Sequence, residues 1–279
     1  MTETQILKKT DKIKTKKSDN TIANIMRKRT LVCAAGALIL AYGCMMTHDI
    51  DTSRLELPAL CEDDYIIEYM GYVSSYDMIN KIPEWIAYEL TADETNGPGE
   101  REGKFFRPDE SVPLPQPEDR DYRGSGWTRG HLAPAADFRW DDDAMWETFL
   151  FTNCCPQDED LNNGMWNTLE KKCRTWARKN GKVHIVTGPV IGNNTNGKIG
   201  KNRVTVPDAF FKAVLMEKDG RYHAIGFIME NTASNDNLQE CAMSIDELEA
   251  ATGLDLFASM EDSTEAEIEK RYSLKPWKL

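Results

Sequence analysis

The sequence predicts an α+β domain, a central antiparallel sheet flanked by helices, and three observations carry this. Apolar runs at 183–186, 209–216 and 222–229 have Gly, Asn or Asp near their ends, as strands do. Residues 161–179 hold Trp166, Leu169, Cys173 and Trp176 on one helical face, with Lys and Arg opposite. The second half of 73–90, from Pro83 to Leu90, alternates well enough for a further strand.

At the N-terminus, residues 1–25 are polar and Lys-rich, with no apolar periodicity that would bury a core. Met26-Arg27-Lys28-Arg29 then precedes an apolar run to Tyr42 and the pair Gly43-Cys44. A basic stretch, an apolar run of about a dozen residues and a small residue before a break is the layout of a secretory signal. The run is shorter than the roughly 20 residues that span a bilayer, and Met26 is an alternative start. Ala41-Tyr42-Gly43-Cys44 resembles a bacterial lipobox, although Tyr42 is bulky where a small residue is usual and Ala41 stands where Leu is commoner. The expectation is export to a bacterial cell envelope, held by lipidated Cys44 or by a signal anchor, or secreted outright. The chain then divides into an extension and signal at 1–43, a linker at 44–62 and one domain at 63–279.

Within that domain, residues 91–126 are rich in Gly, Pro and charge, and irregular stretches of such length are usually functional. A short helix is expected over 144–151. The helix over 161–179 should end at Gly181, a C-terminal cap. Ser244 with Glu247 three residues on marks a further helix start, and 261–270 reads as an acidic surface helix.

Charge restricts the partners. The whole chain carries 34 Lys+Arg against 46 Asp+Glu, a net -12. Residues 1–43 hold nine basic and three acidic side chains, so the remainder carries -18. Charge alone argues against a polyanionic partner, whose affinity comes from a basic face; any such partner needs a local site with a metal ion. Of seven cysteines, Cys33 and Cys44 belong to the signal, and Cys61, Cys154, Cys155, Cys173 and Cys241 show no zinc spacing. One or two disulfides are compatible with an exported chain, with no connectivity readable.

Four histidines bound the search for a base that works near neutrality. His48 lies in the export region, while His184 and His223 sit in apolar strands, where a structural role is the ordinary one. His131 closes Thr128-Arg129-Gly130-His131, just after Tyr122-Arg123-Gly124-Ser125-Gly126. There glycine lets the backbone approach a ligand, and an arginine stands two residues from the imidazole.

The stretch 122–135 resembles the D-R-G-H signature of the DNA/RNA non-specific endonucleases. Phe151-Thr-Asn-Cys-Cys-Pro-Gln157 resembles that family's S-N-x-x-P-Q segment, and Leu161-Asn-Asn-Gly-Met-Trp-Asn-Thr-Leu-Glu170 its L-N-x-x-x-W-x-x-L-E segment. Pro83-Glu-Trp85, Thr187-Gly-Pro189 and Val206-Pro207 extend the likeness over about residues 65–260, in order and spacing. The resemblance implies a ββα-metal (His-Me finger) site. In it His131 matches the general base, Asn162 the direct ligand of Mg²⁺ (Mn²⁺ is an alternative), and Glu170 the glutamate that holds metal-bound water. Asn153 matches an asparagine beside the histidine, an orienter, and Arg129 the arginine that meets phosphate. Arg107, in Phe105-Phe-Arg-Pro-Asp109, is the choice for a second arginine at the transition state. DNA and RNA are the implied substrates, with 5′-phosphate products, and a homodimer is compatible with the chain.

Each of these residues also has a plain structural alternative. Asn162 is a residue type that caps the helix it precedes, and Glu170 stands at i,i+4 spacing from Arg174. One departure bears on activity: Thr128 replaces the signature aspartate, keeping a hydrogen-bonding group but not its charge. That loss, with the acidic charge of the mature chain, speaks for the competing expectation of a catalytically weak surface lipoprotein that binds nucleic acid or a partner protein; retention of His131, Asn162 and Glu170 speaks against it, and an active enzyme is expected.

Overall fold

The computed structural model describes residues 50–233 and 237–279. In chain order its strands are β1 (Ile66–Glu68), β2 (Val73–Asp77), β3 (Ile82–Thr91), β4 (Thr128–His131), β5 (Cys154–Gln157), β6 (Lys182–Val190), β7 (Lys198–Ile199), β8 (Val204–Thr205), β9 (Ala209–Lys218), β10 (Arg221–Glu230) and β11 (Ala242–Met243). The helices are α1 (Asp119–Tyr122), α2 (Asp142–Glu147), α3 (Asn167–Asn180), α4 (Ile245–Thr252) and α5 (Asp262–Glu269). Seven strands make one sheet in the order β1-β2-β3-β6-β9-β10-β11, antiparallel at every pairing. The expected α+β class and antiparallel sheet are therefore what the chain adopts.

The central strands are continuous apolar runs because both faces of the sheet are covered. On β9, Phe210, Val214 and Met216 enter the core shared with α3, while Ala209, Phe211, Ala213 and Leu215 enter the core under α4 and α5. The period of two along a strand separates the layers. Helix α3 buries Leu169, Cys173, Trp176 and Ala177, the predicted stripe, and ends where the Gly181 N–H donates to the Ala177 carbonyl at 2.8 Å with φ +94°. Helix α4 starts as expected: Ser244 Oγ accepts from the Glu247 N–H, and Glu247 accepts from the Ser244 N–H.

The strand expected in the second half of 73–90 is β3, which also has a hairpin partner in β2. The Asp77 carboxylate accepts from the N–H groups of Ile79 (2.7 Å) and Asn80 (2.8 Å), and Lys81 takes φ +59°. This Asx-type turn contains no glycine. The helix predicted over 144–151 is shorter and earlier. Asp141 caps α2 through Asp143 and Ala144, and the chain leaves it for a 3-10 turn at Phe151–Asn153 leading into β5.

The folded body begins before residue 63: Leu57 is buried against the sheet, and Glu56 accepts from His184 Nδ1 at 3.1 Å. His184 thus has the structural role its strand position suggested. Cys154, Cys155 and Cys173 are buried and form no disulfide among the described residues. The signal and lipobox expectations, with His48, fall on residues 1–49, outside the described residues, and no described helix is long and apolar enough to cross a membrane.

Candidate active site

A small two-stranded ribbon lies on the α3 side of the sheet. In it β4 pairs antiparallel with β5, Thr128 facing Gln157 and His131 facing Cys154. Gly130 is required here by packing, since a Cβ would stand 2.1 Å from Gln157 Oε1 and 2.6 Å from Gln157 Cβ. After β5 the chain makes a helical turn at Glu159–Leu161, a wider turn over Asn162–Trp166 and then α3, which completes a ββα unit.

His131, at the end of β4, is 8% exposed. Its ring packs against Phe106 at 4.6 Å and edge-on to Phe149 at 4.9 Å between centroids. Nε2 is buried and has no hydrogen-bond partner among the described residues. Burial, aided by the positive charge of Arg101, pushes the imidazole down to about 3. The ring is therefore neutral across the physiological range, as a proton acceptor must be.

Asn153 meets the backbone beyond His131 rather than the ring. It is fully buried; its Oδ1 accepts from the Ala133 N–H (2.9 Å), and its Nδ2 donates to the carbonyls of Ala133 and Thr148, both at 2.8 Å. Its own carbonyl accepts from the Leu132 N–H at 3.1 Å. The clamp fixes the chain just after the histidine and uses both N–H groups of the amide.

Asn162 does not cap the helix, because Asp158 does, accepting from the N–H groups of Asp160 and Leu161 at 3.0 Å each. Instead the Asn162 Nδ2 donates to Thr128 Oγ1 at 3.2 Å, and that hydroxyl donates in turn to the Gln157 carbonyl at 2.8 Å. Asn162 Oδ1 is left with no donor among the described residues. The hydroxyl of Thr128, where the signature has aspartate, thus holds the amide through a neutral hydrogen bond.

Glu170 makes no pair with Arg174, whose guanidinium goes to Asp137 at 2.6 Å. The Glu170 carboxylate has neither a hydrogen bond nor an ion pair among the described residues. Desolvation pushes it up to about 7, opposed first by Lys212, reinforced by the Asp137 charge and opposed again by Arg174 and, least, by Arg101. Lys212, projecting from β9 on the α3 side, is fully buried; its Nζ lies 3.4 Å from the Leu132 carbonyl and 4.8 Å from the Trp166 ring centroid. Sequence reasoning missed this cation, which sits in an apolar run like a misplaced surface residue.

The arginines differ from expectation. Arg129 is engaged with α1: its Nη2 pairs with Asp119 at 2.5 Å, its guanidinium covers Tyr122, and its Nε is buried without a partner among the described residues. Arg107 is exposed, stacked over Trp146 at 5.1 Å, and its backbone bridges to Phe149 and Phe151. The arginine whose charge acts on both His131 and Glu170 is Arg101. Nothing local distinguishes it from its neighbours in the irregular stretch 91–126.

The donors fit a hard divalent cation better than a soft one. An amide oxygen without a donor and an unpaired carboxylate on one helical segment offer oxygen only, the chemistry Mg²⁺ takes. Asn162 and Glu170 stand eight residues apart, with the wider turn over Asn162–Trp166 and its non-helical Gly164 between them. A recess of about 620 Å³ between β3, β6 and β9, lined by Glu89, Asn180, Lys182 and Glu217 among others, holds none of these residues.

Comparison with known proteins agrees with this geometry. Residues 59–263 match the family model of the DNA/RNA non-specific endonucleases. The mitochondrial nuclease EXOG of Danio rerio is 36% identical over 208 residues, which cover 69% of this chain and 61% of that protein; the chain thus spans about three fifths of that relative. Human mitochondrial endonuclease G is 37% identical over 197 residues, 66% of each chain. Among solved structures, a crystal structure of the EndoG/EndoGI complex superposes with a TM-score of 0.68 at 30% identity, covering 75% of this chain and 91% of that one. With the family's fold, motif order and ββα unit all present, the chain belongs to the DNA/RNA non-specific endonuclease family.

Proposed function

We propose that this protein is a divalent-metal-dependent endonuclease that hydrolyses phosphodiester bonds of DNA and RNA with little sequence preference. The observation that carries the reading is that the β4–β5 ribbon ends on His131 while its Thr128, three residues earlier, holds the Asn162 amide of the following helical segment at 3.2 Å. A base and an oxygen ligand for a hydrated metal then belong to one ββα unit.

In this reading His131 is the general base. With Nε2 walled in, Nδ1 is the nitrogen that takes the proton of the attacking water. Asn162 Oδ1 would hold Mg²⁺ or Mn²⁺, with Glu170 as the carboxylate that would hold water of the hydrated ion. A divalent cation there supplies Lewis-acid charge to the phosphate and the leaving oxygen. Arg101, rather than Arg107, grips the non-bridging oxygens, while Arg129 is a second phosphate contact once it releases Asp119. Contacts of this kind read backbone and not base edges, hence the low sequence preference, with 5′-phosphate products. Local cations also account for a polyanionic substrate on an acidic chain. The residues before the domain, 26–44, support export to a cell envelope through a signal anchor or a lipidated Cys44.

The direct test is incubation of supercoiled plasmid and of structured RNA with the purified protein. Cleavage of both with Mg²⁺ and its arrest by EDTA are expected; no cleavage with either Mg²⁺ or Mn²⁺ removes the enzyme reading. Thr128 offers a finer prediction. Thr128→Val deletes the hydroxyl that orients Asn162, and loss of such outer partners costs about 10- to 100-fold in metal affinity. The Mg²⁺ concentration for half-maximal cleavage should rise by that factor, while Thr128→Ser stays near the parent. A valine variant with an unaltered Mg²⁺ requirement excludes this role.

A further inference from the structure

The loop that carries Arg101 also presents Phe105, which is 66% exposed. Its ring stands edge-on to Trp146 at 5.6 Å and 90°. Trp146 is itself covered, with the Lys104 ammonium at 5.4 Å and the Arg107 guanidinium at 5.1 Å from its ring centroid. Trp146 is therefore the brace, and the phenyl of Phe105 is the open aromatic surface. Ring-to-ring steps of 4.9, 6.4 and 5.6 Å lead from His131 through Phe149 and Trp146 to Phe105, a span a polynucleotide covers in a few residues. Lys104 is spent on Asp142 at 2.5 Å, while Arg101 and Arg107, on either side of Phe105 in sequence, lie over the Phe149 and Trp146 rings and form no ion pair among the described residues.

A lone exposed apolar side chain needs no explanation by itself. Here it stands braced by Trp146, flanked in sequence by Arg101 and Arg107, whose charges no carboxylate neutralises among the described residues, on a chain whose remaining charge is strongly negative. Cations that track a backbone beside an aromatic face that takes a base are the means by which proteins hold single strands. In an intact duplex both faces of a base are covered by its neighbours, and the phenyl has nothing to stack on.

Resting on the nuclease reading, we infer that Phe105 stacks on an unpaired base of the substrate strand near the scissile phosphate, so that single-stranded DNA or RNA is held in preference to intact duplex.

The experiment compares the parent with Phe105→Ala, Phe105→Leu and Phe105→Trp, each as the full chain. KM and kcat are measured with Mg²⁺ on a single-stranded oligonucleotide and on a hairpin duplex of the same composition. The Kd of each, fluorescently labelled, is measured by anisotropy in EDTA, where cutting does not interfere. Alanine and leucine should weaken the single strand by about 5- to 100-fold, in KM rather than kcat and in Kd alike, with a much smaller effect on duplex. Tryptophan should restore the parent behaviour. A leucine variant that holds the single strand as the parent does, or equal weakening of single strand and duplex, overturns the inference. If the parent binds single strands through Phe105 yet cuts nothing, the nuclease reading fails and the stacking stands. If it cuts, and no Phe105 variant alters either readout, the stacking alone falls.

Discussion

His131→Ala should lower kcat for plasmid and RNA cleavage by about 10²- to 10⁴-fold, the range over which a positioned general base acts. The Mg²⁺ requirement should stay near that of the parent, since the ring is not among the proposed ligands. The pH profile gives a second handle. A free imidazole near 6.5 would impose an acid limb on kcat/KM near that value, because only the unprotonated ring accepts a proton. Burial between Phe106 and Phe149, with Arg101 nearby, pushes His131 down to about 3. The ring therefore stays unprotonated as pH falls through 6, and the free enzyme should show no loss of kcat/KM there attributable to this residue. An acid limb centred near 6.5 that disappears in the variant contradicts this assignment of protonation.

The same shift has a consequence for stability. The folded pKa lies below the unfolded one, so between 6.5 and about 3 the unfolded chain takes up a proton that the folded chain refuses. His131 contributes fully above 6.5, and its contribution is lost as pH falls through that window. Urea midpoints of the parent should therefore decline more steeply with acidification than those of His131→Ala.

Asn162→Ala should raise the Mg²⁺ concentration for half-maximal cleavage by at least about 100-fold, since outer partners alone cost 10- to 100-fold. Its thermal stability should stay within about 0.5 kcal/mol of the parent, because Asp158, not Asn162, caps the helical turn. This separation distinguishes a ligand from a helix cap: a capping residue would lose stability and leave the metal titration in place. Adding Thr128→Val to Asn162→Ala should bring no further change, since the hydroxyl acts through the amide and contributions in series do not add. Parent-like metal titration of Asn162→Ala would remove this residue from the site.

Legibility differed among residues for physical reasons. The α3 stripe, the Gly181 stop and the Ser244–Glu247 cap are local devices, encoded within a few residues of where they act. The Asx turn at Asp77 is local too, but Met78-Ile79-Asn80-Lys81 carries no glycine to announce it. Arg101 and Arg107 are six residues apart in one irregular stretch, and only the path of the loop over Phe149 and Trp146 distinguishes them. Glu170 and Arg174 have ideal helical spacing for a pair, yet Asp137, distant in sequence, takes the arginine.

From its order of residues alone this chain determined its α+β class and its family, since these follow from short-range periodicity and from motifs with characteristic side chains. Which carboxylate goes unpaired, which partner Arg174 takes and how the Thr128 hydroxyl holds the Asn162 amide were decided by tertiary structure. Those outcomes depend on competition between groups far apart in sequence for the same partner, and on the loss of solvent around Glu170 and His131, and neither exists until the sheet, the ribbon and α3 have closed on one another.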